Sequence, residues 1–193
     1  MTKKTTFIAV LLVFFTPVLL AVLLNSQWLD WRPGETRNHG ELITPPPRLD
    51  DFELQTAAGI RFSREDLAGQ WQLLHYRSGN CGEDCLDALY WMRQVRTAQD
   101  RHQPEIGLML VSESRLNAAT LTAIDELATD IRVVHAEAGL ALAQSLPDRG
   151  SEAISYIVDP DGHIILRYPP EAEFNGMRRD LKRLLTWTQT GPQ

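Results

Sequence analysis

The sequence predicts an α/β fold: a central mixed sheet flanked by helices and preceded by one N-terminal transmembrane helix. Three observations predict it. From residue 49 onward, short apolar strand candidates alternate with segments of helical period. The only two cysteines, Cys81 and Cys85, stand four positions apart where an apolar run gives way to such a segment. And an uncharged run, "FIAVLLVFFTPVLLAVLL", fills residues 7–24 directly after "MTKK".

At about 1.5 Å per residue in a helix, residues 7–24 extend roughly 27 Å, close to the hydrocarbon thickness of a bilayer. The run is long for a signal-peptide core, and "VLLNSQW" after it offers no small-x-small cleavage site, so an uncleaved anchor is expected. Lys3 and Lys4 favour a cytoplasmic N-terminus for residues 1–6, which exports everything beyond residue 24. Pro17 is tolerable inside a membrane helix. Residues 25–48 read as a juxtamembrane tether: Trp28 and Trp31 suit the interface, and Pro45, Pro46 and Pro47 favour an extended spacer. His39 within it reads as a solvated loop residue.

The domain is expected over residues 49–190. "FELQTA", Gly59 and "IRFS" form a hairpin with the glycine in its turn, and "REDLAGQ" a short helical segment. "WQLLHYRS" is a buried strand leading into the cysteine loop. Residues 85–100 are helical, with Cys85, Leu89, Met92 and Arg96 on one face. A strand "IGLMLVSE", a helix over 115–129, a strand "IRVVHA" and a brief helix "LALAQSL" follow. "ISYIVDP" and "HIILRYP" make a second hairpin with Asp161-Gly162 at its apex. A final helix spans 173–188, where Arg178, Arg179, Lys182 and Arg183 read as a solvated basic face.

Hydrophobic residues make up 44% of the 193, enough for a packed domain. The net charge of −6 leaves no surplus of cations to displace counterions, which excludes nucleic acid as a partner. No proline-threonine frame precedes either cysteine, so a peroxidatic site is not expected, and no serine nucleophile motif or phosphate loop stands out.

The cysteines carry the chemistry. Outside the cytoplasm a vicinal pair can oxidise and persist as a disulfide, or its thiolates can hold a soft metal ion. In regular helix, residues i and i+4 have Cβ atoms about 5–6 Å apart, too far for a disulfide. Cys81 therefore belongs on a loop over the helix and Cys85 in its first turn, where the helix terminus favours a thiolate. A rival arrangement makes Asn80 the N-cap with Glu83 closing a capping box, which keeps the sulfurs apart. Glu83 and Asp84 raise the cost of a thiolate, and Arg77 is the nearest cation to offset them. A modestly reactive reductant or a metal ligand is expected rather than a strong oxidant.

"FELQTAAGIRFSREDLAGQWQLLHYRSGNCGEDC" resembles the opening of the Sco/SenC/PrrC family, and "ISYIVDPDGHI" its late strand with an aspartate-proline-x-glycine turn. Members are membrane-anchored thioredoxin-like proteins that help assemble the copper A centre of cytochrome oxidase. The resemblance implies a thioredoxin-like fold, an anchor in a bacterial inner membrane with the domain in the periplasm, and a cytochrome oxidase subunit or copper chaperone as partner. It implies thiol–disulfide exchange at the C-x-x-x-C pair, with Cys81 as nucleophile and Cys85 as resolver, or copper(I) held by Cys81 and Cys85; the third reading is a non-catalytic assembly scaffold in which the pair is a structural disulfide. The chain departs from the family in two ways. Gly82 and Leu86 replace the prolines that usually follow the cysteines, and the usual copper-ligand histidine is missing: counting back from Tyr156 reaches Ser151, and a two-residue slip Arg149. His75, His135 and His163 remain as candidates for a third ligand, each more simply read as structural.

Overall fold

Strand β4, Trp71–Arg77, is buried at every position because it lies inside a six-stranded sheet and is covered on both faces. The computed structural model describes residues 11–17, 38–137, 140–148 and 152–190, with side chains through Thr186. The other strands are β1 (Glu41–Leu42), β2 (Glu53–Gln55), β3 (Arg61–Ser63), β5 (Ile106–Ser112), β6 (Ile131–His135), β7 (Ala153–Val158) and β8 (Ile164–Tyr168). The helices are α1 (Glu83–Thr97), α2 (Ala118–Leu127), α3 (Ala141–Ser145) and α4 (Phe174–Thr190).

The sheet runs β1-β8-β7-β4-β5-β6. From β4 the chain climbs through α1 to β5 and through α2 to β6, both pairings parallel. It then returns through α3 to β7, which lies antiparallel on the other side of β4, and turns back as β8. Two apolar layers result. Leu73 of β4 faces Cys85, Leu89 and Met92 of α1, Ile124 of α2, and Met177 and Leu181 of α4. Leu74 and Tyr76, pointing the other way as strand alternation requires, meet Phe52 and Phe62 of the β2–β3 hairpin and Leu142 of α3. The sheet is mixed and has helices on both faces, as the sequence predicts.

Both turn glycines sit where they are needed: Gly59 has φ +77° in the first hairpin and Gly162 φ +88° in the second. The "REDL" segment is a 3-10 turn over Arg64–Leu67. A second 3-10 segment, Asp100–Glu105, extends the path between α1 and β5 and was not expected. Arg96, placed by its period on the buried face of α1, is matched there by a bidentate pair with Asp130 at 2.5 and 3.0 Å.

Residues 38–48, read from sequence as the end of the tether, pack on this domain. Strand β1 pairs with β8, Ile43 donates its amide to the Ile165 carbonyl, and the Pro47 carbonyl accepts from the Ile164 amide. Backbone contacts divide the chain into units 1–36 and 37–193. In the first unit, residues 11–17 are helical and exposed. Most of the predicted span over residues 7–24 lies outside the described residues, among which no helix is long and apolar enough to cross a membrane.

Candidate functional site: a disulfide at the start of α1

Helix α1 begins at Glu83, with Gly82 as an extended N-cap that makes no side-chain hydrogen bond. Cys81 thus precedes the helix and Cys85 lies in its first turn. Their Cα atoms are 5.1 Å apart and their sulfurs are bonded at 2.04 Å. This is the loop-over-helix arrangement. The rival, with Asn80 capping and Glu83 closing a box, does not form, because the helix starts too late for Asn80 to reach it. Gly82 offers no side-chain cap, and the Asp84 carboxylate takes up the Asp84 and Cys85 amides in its place, so a carboxylate partly offsets the positive helix end beside the sulfurs. Cys81 is 7% exposed and Cys85 not at all.

Arg77, the last residue of β4, organises the loop. Its side chain pairs with Asp84, reaches Glu152 Oε1 at 3.1 Å, and donates from Nε to the Asn80 carbonyl at 3.1 Å. The hydrogen bond and charge of Arg77 hold the Asp84 carboxyl below its usual range against the opposing effect of desolvation, with the Cys85 and Asp84 amides assisting. One of the two carboxylates beside the thiols is therefore neutralised by Arg77, as expected, while Glu83 faces solvent. Glu152 was not foreseen. It joins the site because Arg77 and Ala153 are paired in the sheet register, which sequence spacing does not reveal.

Below Arg77 on the same face lies His75, 4% exposed. Its Nδ1 is 2.9 Å from Ser155 Oγ, its direct cross-strand partner, and its Nε2 has no hydrogen-bond partner among the described residues. Burial, with the nearby Arg77 charge, lowers its pKa to about 4, so the imidazole is neutral at physiological pH. His75 lines a cavity of about 280 Å³ between α1 and α4, with Asp84, Asp87, Ser155 and Tyr168. The stacked rings of Trp91 and Phe174, 6.0 Å apart, are also part of its wall.

The other two candidate ligands stand elsewhere. His135, on β6, sits near Glu137 Oε1 at 3.6 Å and the Ser112 carbonyl at 3.2 Å. His163 pairs with Asp159 at 3.2 Å in the β7–β8 turn, beyond the Gln72 end of β4 and so opposite the cysteines. With Asp161 these two form the only group of three ligand-type side chains within 4.8 Å among the described residues. Asp159 is already occupied there, accepting the Asp161 and His163 amides that shape the turn. Among the described residues, no histidine joins the two sulfurs in such a group. Ser151 and Arg149, where a family ligand would fall, lie outside the described residues.

A sheet of this order with a cysteine pair at the end of its central strand defines a thioredoxin-like protein. The chain belongs to the family described as transmembrane-like, thioredoxin-like, C-terminal domain, which matches residues 71–188. No curated protein matches it in sequence. Solved structures share the fold. Apo Sco1 from Thermus thermophilus superposes with a TM-score of 0.60 at 16% identity, covering 77% of this chain and 96% of that one. Copper-bound ScoI from Arabidopsis thaliana gives 0.58 at 13%, covering 72% and 98%. A putative thiol:disulfide interchange protein DsbE from Chlorobium tepidum gives 0.53 at 15%, covering 72% and 95%. The fold is thus the one the Sco resemblance implies, and it is shared with disulfide-exchange proteins.

Proposed function

We propose that this chain is a membrane-anchored thioredoxin-like protein acting in cytochrome c oxidase assembly on the outer side of a bacterial inner membrane. Its reaction is thiol–disulfide exchange between the Cys81–Cys85 pair and cysteines of an oxidase subunit or a metallochaperone. The observation that supports this best is the disulfide itself: two sulfurs joined at a helix start, Cys81 the less buried of the two, with Arg77 neutralising Asp84 beside them. In the reducing direction, the Cys81 thiolate attacks a partner disulfide, one partner sulfur leaves as thiolate, and a mixed disulfide forms. The Cys85 thiolate then attacks Cys81 Sγ, releasing the second partner sulfur and re-forming the internal bond. Two electrons pass to the partner, and its leaving sulfurs take up the protons that the two thiols gave. The reverse sequence oxidises a partner dithiol. The anchor over residues 7–24 is part of this proposal and rests on the apolar run.

A second reading, copper(I) as cargo, is favoured by the copper-bound Sco proteins of the same fold. The donor set fits it less well. Two thiolates suit copper(I), but a third soft or imidazole ligand does not converge on them among the described residues. Two experiments separate the readings. In a strain that depends on this chain for oxidase activity, replacing both cysteines by serine should lower the amount of assembled oxidase; an unchanged amount refutes the assembly role. Copper(I) titration of the reduced chain, with and without the same substitutions, tests the cargo reading. Cysteine-dependent binding tighter than about micromolar would support it, and its absence would refute it.

A further inference from the structure

We propose that the exposed basic face of α4 rests on anionic phospholipid headgroups and lays the domain against the bilayer; this rests on the anchored reading above. Helix α4 carries three stripes. Met177, Leu181 and Leu185 are buried in the core. Gly176, Asp180 and Arg183, at i, i+4 and i+7, run under residues 38–40. His39 lies over Gly176, the His39 and Gly40 amides donate to Asp180 at 2.7 and 2.9 Å, and Arg183 donates to Asn38 at 2.9 Å. The third stripe, Asn175, Arg179, Lys182 and Thr186, is exposed, with Arg178 half-buried beside it. Four cations thus fall within positions 178–183. The one acid among them, Asp180, is 1% exposed and turned toward residues 38–40. In a chain of net charge −6, this stripe is locally positive.

The path of the chain argues for lipid as the occupant. Residues 38–40 lie along α4 itself, so the segment toward the anchor leaves the domain from this helix. Only residues 25–37 separate Asn38 from the end of the apolar run. Thirteen residues reach at most ~45 Å fully extended. The stripe is therefore confined near a headgroup surface, at high effective concentration, and its charge is complementary to anionic lipid. A helix with an apolar core face and a cationic outer face can lie along such a surface without inserting.

Lys182 is the only lysine after Lys4, so it reports on this face alone within the domain. The full chain is placed in nanodiscs of phosphatidylcholine, with or without phosphatidylglycerol, and the rate of Lys182 acylation is followed by mass spectrometry. Acylation should be slower by about threefold or more in the anionic discs at low salt, with the difference lost at high salt and in R178E/R179E. Equal rates in both discs would overturn the docking while leaving the anchor intact. Protection that is the same in both lipids and survives high salt would mean burial by protein, and also overturns it. A chain that does not enter discs at all would refute the anchor and this inference together.

Discussion

Arg77 and Asp84 join the end of β4 to the start of α1 across the cysteine loop, and the same guanidinium holds the Asn80 carbonyl and Glu152. The disulfide is thereby framed by a side chain 90% buried whose partners are exposed at 65% and 71%. Replacing Arg77 by methionine keeps most of the stem's packing but frees both carboxylates. We expect a loss of about 1–3 kcal/mol in urea unfolding, below the full cost of breaking a buried pair because the acids are solvated. In the reduced protein, the pH at which Cys81 becomes reactive toward an alkylating agent should rise, since Asp84 is no longer neutralised. An unchanged alkylation profile would remove Arg77 from the site.

His75 makes stability depend on pH in a defined window. Its folded pKa of about 4 lies below the ordinary 6.5, so between these values the unfolded chain binds a proton that the folded chain does not. The contribution is fully present above pH 6.5 and is lost as pH falls toward 4. At 1.36 kcal/mol per pH unit the loss is about 2 kcal/mol by pH 5 and about 3 by pH 4. Asp84 and Asp130, whose carboxyls are held low by Arg77 and Arg96, lose their contribution only at more acidic pH. Unfolding free energies of the wild type and His75→Gln between pH 7 and 5 check the assignment. The variant should show a flatter slope, and parallel slopes would contradict it.

Asp180 satisfies three donors at once: the His39 and Gly40 amides and the Tyr168 hydroxyl at 2.9 Å. Burial, with the Asp180 charge and hydrogen bond, pushes the Tyr168 phenol upward and keeps it a donor. Asp180→Ala leaves two amides unpaired and should cost roughly 2–4 kcal/mol. Hydrogen exchange at residues 39–42 should accelerate more than in α1. Tyr168→Phe removes one donor and should cost about 1 kcal/mol with those amides still protected.

Gly107 on β5 lies opposite Gln72, and a Cβ there would collide with the buried Gln72 carboxamide. Gly107→Ala should therefore destabilise by about 1–3 kcal/mol. Adding Gln72→Ala to that variant should recover part of the loss, and a double-mutant cycle measures the coupling directly. Additive losses would mean that the collision is relieved elsewhere.

Local chemistry carried most of the fold into the sequence. The alternation of β4 through β8 with helical segments, the two turn glycines and the period of Cys85, Leu89, Met92 and Arg96 each rest on neighbours within a few residues. So did the loop placement of Cys81, which follows from the reach of two sulfurs. What the sequence did not reveal depends on distant pairing. Strand β1 is a two-residue edge that exists only because β8 offers it partners. Glu152 enters the site through register with Arg77, and Ser155 reaches His75 in the same way. Asp180, in the middle of an apparently basic helix, shows no sign in the sequence of binding amides 140 and 141 positions away. The Asn80–Glu83 box had the right spacing for a cap, but the helix begins two residues too late for it.

The most direct measurement is the reduction potential of the Cys81–Cys85 pair in the intact chain, equilibrated with a dithiol of known potential. An exchange site should titrate above roughly −300 mV and, in C85S, form a mixed disulfide through Cys81 with a small disulfide probe. A pair that stays oxidised well below that value, with Cys81 unreactive in C85S, would be an inert clip, and the proposed exchange reaction would have no site.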